Sequence, residues 1–210
     1  MSFRIARKIV GFIIGHIFFR LKIHGRENMP AEGAVIIAMN HRSYWDGPLA
    51  ATTLPRQLAI MAKKELFDVP VLSAILRWAG AFPVSRGQGD ISAIKAALKA
   101  LKAGMAMAIF PEGRRVFKGQ EHTAKAGVAL IAEKTGAPIV PVAISGKYLP
   151  FARVNVYIEK PIYVKNENGE KLTGEQLQEV SDYLMQKILH MAGYSDTPAV
   201  KENVTLWISE

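Results

Sequence analysis

The chain has no cysteine among its 210 residues, which excludes disulfide frameworks, thiolate metal sites and a cysteine nucleophile together. A membrane-length apolar run is also missing. The apolar segment from Ile9 to Phe19, IVGFIIGHIFF, would rise only about 16 Å as a helix, against a hydrocarbon core of about 30 Å. There is no P-loop, and Gly87-Gln88-Gly89 is not a dinucleotide fingerprint, so nucleotide-dependent chemistry has no support. No Gly-x-Ser-x-Gly elbow occurs either, since Ser145 in AISG lacks the first glycine. What remains is 50% hydrophobic and 21% charged, the composition of a folded chain whose length suits one domain.

Charge is unevenly placed. Residues 1–104 carry 15 basic and 6 acidic side chains, whereas residues 105–210 carry 12 of each. Arg4, Arg7, Lys8, Arg20, Lys22 and Arg26 all precede the first acid, Glu27, so the N-terminal stretch calls for an anionic partner. On a helical wheel most of these cations share one side with Gly11 and Gly15, opposite Ile5, Ile9, Phe12, Ile13 and Ile17, while Phe18 and Arg20 spoil the segregation. A basic stripe beside an Ile/Phe face suits a helix lying in a bilayer interface; the alternative is a helix packing on the core. A secretory signal fits less well, because Phe18-Phe19-Arg20 offers no small-residue cleavage site. The boundaries read from the sequence are a membrane-interface helix over 1–24 and a single domain over 25–210.

Beyond Gly25 short apolar runs alternate with amphipathic stretches, which predicts an α/β domain with a mixed sheet flanked by helices. Strands are expected at 34–39, 58–62, 81–84, 105–110, 139–144 and 154–158, and helices at 48–53, 71–79, 91–101, 124–135 and 174–190. The 34–39 and 105–110 runs are apolar throughout, as strands covered on both faces are; 153–160 alternates and suits an edge or half-exposed position. Asp90 is the expected N-cap of the third helix, with Ile91, Ile94, Leu98 and Leu101 on one face and Gly104 closing it. Residues 165–171, KNENGEK, read as a loop.

Three polar clusters follow three of these strands, at the sheet end where open α/β folds bind ligands. Asn40 to Gly47 reads NHRSYWDG. A turn opening a helix could fold Asp46 back onto His41, fixing the tautomer and leaving the other imidazole nitrogen as a general base; the alternative makes Asp46 an ordinary N-cap. With no enzyme nucleophile in view, such a base would activate a substrate hydroxyl for direct transfer. Two ligands without a third do not make a metal site. Phe110 to Arg115 reads FPEGRR, where Pro111 and Gly113 turn the chain and expose Glu112, Arg114 and Arg115; arginine forks bind phosphate, although solvated charges at a strand exit look the same. Gly80 to Asp90, GAFPVSRGQGD, places Arg86 beside a helix N-terminus, a sensible anion site.

The order and content of NHRSYWDG (40–47), GAFPVSR (80–86), FPEGRR (110–115) and IVPVAI (139–144) resemble the four blocks of the glycerolipid acyltransferases, in particular the 1-acyl-sn-glycerol-3-phosphate acyltransferases. The resemblance implies a glycerolipid-acyltransferase-like α/β fold, with His41 deprotonating the acceptor hydroxyl and Asp46 orienting it. It implies that Arg86, Glu112, Gly113 and Arg115, with the extra cation Arg114, bind the phosphate of lysophosphatidic acid, and that Pro141 lies in a donor-binding or structural block. Acyl-CoA or acyl carrier protein would be the donor, with no metal or other cofactor. A phospholipid membrane surface is the expected partner, at the cytoplasmic face. The third block of that family commonly has Thr where this chain has Arg114, which bears on the acceptor headgroup more than on the reaction. Acylation of glycerol 3-phosphate or another lysolipid, and an inactive lipid-surface module, are the competing readings. Nucleic-acid binding is disfavoured because the cations flank Ile and Phe and no recognised motif appears.

Overall fold

The computed structural model describes residues 9–84, 91–117, 119–165, 170–194 and 208–209. The expectations for Arg86 and Asp90 lie outside these residues, as does that for the side chain of Ile91. Nine strands are present among the described residues: β1 (Arg20–His24), β2 (Val35–Met39), β3 (Leu58–Lys63), β4 (Ala81–Val84), β5 (Ala106–Ile109), β6 (Ile139–Gly146), β7 (Arg153–Ile158), β8 (Tyr163–Val164) and β9 (Ile208–Ser209). The first seven form one sheet in the order β1-β7-β6-β2-β5-β3-β4. Every neighbouring pair in it is parallel except β6 and β7. β8 and β9 pair separately and antiparallel.

All five residues of β2 are buried, and the period of two divides them between two cores. Val35, Ile37 and Met39 face one side, where they meet Leu49 and Ala50 of α2 (Asp46–Thr53) and Leu54 just after it, together with Ile14 and Phe19. Ile36 and Ala38 face the other, which is covered by α4 (Ile91–Lys102), α5 (Gly127–Thr135) and α6 (Gly174–Ala192). Burial on both faces is why β2 and β5 read as unbroken apolar runs. Helix α3 (Pro70–Trp78) lies beside β4 and buries none of its residues fully. The strands and helices predicted beyond Gly25 appear within a residue or two of their expected positions, except that α5 begins at Gly127, three residues after the expected start at 124. α6 opens with a capping box in which the Thr173 hydroxyl accepts from the Gln176 N–H and the Gln176 side chain accepts from the Thr173 N–H.

The N-terminal segment departs from the sequence reading. Residues 9–18, here α1, are helical and pass into a π-helical turn at Ile13–Phe18, but the helix does not continue to residue 24. Arg20–His24 is the edge strand β1, parallel to β7, with Arg20, Lys22 and His24 exposed and Leu21 and Ile23 turned inward. The alternation RLKIH has the period of a strand, and it outweighed the helical pattern upstream. Among the described residues no helix is long and apolar enough to cross a membrane.

Candidate active site

β2 delivers the first cluster to the end of the sheet. Asn40, fully buried, extends the β2–β6 ladder with its side chain: Nδ2 donates to the Ile144 carbonyl at 3.0 Å and Oδ1 accepts from the Ile144 N–H at 2.8 Å. This pins the chain immediately before His41. The loop then turns into α2, and the Asp46 carboxylate bends back over it instead of capping its own helix. Its Oδ2 accepts from the N–H groups of Arg42 and Ser43, both at 2.7 Å, and lies 2.8 Å from His41 Nδ1. Oδ1 accepts the hydroxyl of Tyr148. Asp46 has no solvent exposure, so its charge is met entirely by these donors and by the helix N-terminus beneath it.

The carboxylate is thus folded back onto His41 and does not cap α2. A carboxylate that accepts every donor around it requires Nδ1 of His41 to carry the proton, which leaves the Nε2 lone pair available. The imidazole is also fixed from its face, stacked on Phe110 with ring centroids 4.0 Å apart and planes 19° apart. Tyr148 is half-buried, and burial followed by the nearby Asp46 charge pushes its phenol well above the ordinary range. It therefore stays protonated and remains a donor.

The third cluster meets the first. Gly113 takes φ +64°, a conformation that favours glycine, and turns the chain straight after β5. The turn places Glu112 behind His41, buried instead of exposed at the sheet end as expected. Glu112 is buried; Oε2 accepts the His41 N–H at 2.6 Å and Oε1 is paired with His122 Nδ1. Burial drives its carboxyl above the usual range, against the opposing pull of the His41 and His122 hydrogen bonds. The Val116 N–H donates to the His41 carbonyl at 2.8 Å, so both backbone groups of His41 are held by the 110–116 segment.

Arg115 lies over the ring of Tyr44, 3.5 Å from its centroid, and its Nη1 is buried with no hydrogen-bond partner. A buried guanidinium N–H without an acceptor is costly, and an oxyanion bound there would satisfy it. Arg114 and Gly113 are exposed. The structure thus brings His41, Asp46, Glu112 and Arg115 together, leaves Arg114 at the surface, and adds Arg42, whose Nη2 donates to the Gly146 carbonyl and whose guanidinium lies over the Tyr148 ring. Tyr148 and His122 were missed from sequence. Tyr148 is 102 positions from Asp46, and no local spacing announces either residue.

Comparison with known proteins bears on the same residues. A family model described as Acyltransferase matches residues 20–145, from the start of β1 into β6. The chain belongs to the acyltransferase family. It is similar to the 1-acyl-sn-glycerol-3-phosphate acyltransferase of Bacillus subtilis (strain 168), at 32% identity over 182 residues that cover 84% of this chain and 90% of that one. The protein of the same description from Streptococcus pneumoniae is 29% identical, over 85% and 71% of the two chains. The crystal structure of the 1-acyl-sn-glycerophosphate (LPA) acyltransferase PlsC from Thermotoga maritima superposes with a TM-score of 0.67 at 22% identity, covering 93% of this chain and 81% of that one. That likeness extends the shared architecture of this acyltransferase beyond the matched segment to almost the whole chain.

Proposed function

We propose that this acyltransferase is a 1-acyl-sn-glycerol-3-phosphate O-acyltransferase, which moves a fatty acyl group from acyl-CoA or acyl carrier protein to the sn-2 hydroxyl of lysophosphatidic acid and yields phosphatidic acid for phospholipid biosynthesis. The observation that carries the proposal is the pairing of a base with an anion site where the loops after β2 and β5 meet. His41 is held through Nδ1 by a fully buried carboxylate, and Arg115 stacks on Tyr44 three residues away with an unsatisfied N–H. The names of the bacterial relatives support the same acceptor.

In this reading the acceptor phosphate is met by Arg115 and Arg86, and its free hydroxyl lies against His41 Nε2. As the hydroxyl oxygen attacks the thioester carbonyl, its proton passes to Nε2 and a C–O bond forms. Asp46 stabilises the resulting imidazolium. The tetrahedral intermediate then collapses with loss of the C–S bond, and the departing thiolate takes the proton back. No metal or other cofactor is needed, because a thioester is already activated and a thiolate leaves readily. α1, with its preceding cations, docks the enzyme on a phospholipid surface where acceptor and product reside, at the cytoplasmic face where the donors are found.

The test is to incubate the full chain with anionic vesicles containing lysophosphatidic acid plus palmitoyl-CoA, following thiol release and phosphatidic acid together. Wild type should yield both, and His41→Ala should lower the rate by about 10²- to 10⁴-fold with unchanged melting. Normal turnover in His41→Ala removes the base from the mechanism. Preferential use of glycerol 3-phosphate or another lysolipid, when offered in competition, moves the acceptor and leaves the chemistry in place.

A further inference from the structure

The turn between β6 and β7 turns its side chains two ways. Tyr148 points inward, its hydroxyl on Asp46 and its ring edge-on to Phe19 at 5.7 Å. Leu149 and Phe151 point outward, 58% and 66% exposed. Phe151 holds φ +61°, a left-handed conformation unusual for an aromatic residue. Strain of this kind persists only where surrounding structure enforces it, and here the Phe151 N–H donates to the Phe18 carbonyl at 2.7 Å while the Ala152 N–H closes the turn onto the Leu149 carbonyl. The turn is thereby joined to the end of α1, where Ile17 and Phe18 are half exposed.

The charges around this surface have one sign. Arg20 and Lys22 are exposed on β1, and Lys147 and Arg153 are exposed on either side of the turn. Residues 1–26 and 137–158 contain no acidic side chain. Apolar side chains at a tip, ringed by cations without counter-charges, match an anionic lipid leaflet, where acyl chains receive the first and headgroups the second. A protein partner would require an acidic face of its own.

We propose that the 147–151 turn is a second membrane-docking element, inserting Leu149 and Phe151 into an anionic leaflet beside α1 while Tyr148 stays bonded to Asp46. The inference deepens the lipid-acceptor reading above. It places the membrane plane one residue from a direct ligand of Asp46, so docking and the catalytic pair share a structural support.

The test uses vesicles of phosphatidylglycerol and phosphatidylcholine without acceptor or donor, so that it reads docking whether or not the acceptor has been assigned correctly. Asn tolerates a left-handed backbone, so the double variant Leu149→Gln/Phe151→Asn removes the apolar tip without adding strain. It should bind these vesicles at least tenfold more weakly than wild type, with unchanged melting. Because the chain has no cysteine, Leu149→Cys can be labelled singly with an environment-sensitive fluorophore. Its emission should shift to the blue on vesicles, whereas a label at Glu175→Cys, exposed at the start of α6 on the opposite side of the sheet, should not respond. Undiminished vesicle binding by the double variant, or a Leu149 label that stays in water, overturns the proposal. So does a wild-type dimer that the double variant loses while keeping its vesicle affinity, since the tip would then be a self-association face.

Discussion

At the scale of single residues, the site is built from side chains that spend their bonding capacity on one another. Glu112 is the clearest example. Its two oxygens hold the His41 N–H and the His122 ring, and burial is the main reason its carboxyl sits above the usual range. A carboxyl whose proton affinity is raised by folding adds stability that is complete below the ordinary carboxylate range and is lost as pH rises through the elevated value. Glu112→Gln removes that titration and keeps one acceptor oxygen for the His41 N–H. The unfolding free energy of wild type minus that of Glu112→Gln should therefore decline as pH rises above the ordinary carboxylate range, read from denaturant melts at each pH. A difference that stays level would mean that Glu112 ionises as it does in water. The residue scale is also where sequence reasoning reached least far. His41 and Asp46 stood out because five positions and a turn connect them, whereas the Glu112 bracket and the Tyr148 hydroxyl join parts of the chain that only the sheet brings together.

At the scale of elements, period was the signal that carried information, and it was strongest where burial was complete. β2 and β5 announced themselves by unbroken apolar runs because helices cover both of their faces. α6 was legible from the apolar face it buries along the sheet. β1 was not, because an edge strand of five residues buries little, and its RLKIH alternation was overshadowed by the apolar run before it. This boundary has a practical consequence for truncation. Removing residues 1–18 deletes α1 and spares β1, so the chain should remain folded, with vesicle binding weakened and melting lowered modestly by the loss of Ile14 from the core. Removing residues 1–24 also strips β1 from β7 and exposes Val154 and Val156 at a new sheet edge. That form should melt markedly lower than the 1–18 deletion and aggregate on heating, which thermal scans of the two proteins side by side would read. Equal melting of the two would show that β1 contributes nothing to the sheet.

For the whole molecule, the excess charge and the fold point in one direction. Positive charge is concentrated in residues 1–104, and the exposed cations of β1 flank the same end of β7 as Arg153. Attraction between such a surface and an anionic leaflet is screened by salt, with a Debye length of about 10 Å at 0.1 M and about 3 Å at 1 M. Insertion of Leu149, Phe151 and the α1 apolar residues is not screened, because removal of apolar surface from water does not depend on counter-ions. The two contributions can therefore be separated on the full chain. Affinity for vesicles rich in phosphatidylglycerol should fall about tenfold or more between about 0.05 M and 0.5 M sodium chloride, while the weaker affinity for purely zwitterionic vesicles should change little. A molecule held by cations alone would lose both, and one held by apolar insertion alone would show no preference for the anionic lipid at any salt concentration. Cosedimentation across that salt series, repeated with the Leu149→Gln/Phe151→Asn variant, assigns each part of the binding energy to its side chains. The variant should retain the salt dependence of the anionic vesicles and bind the zwitterionic ones more weakly than wild type, keeping only the share that α1 supplies.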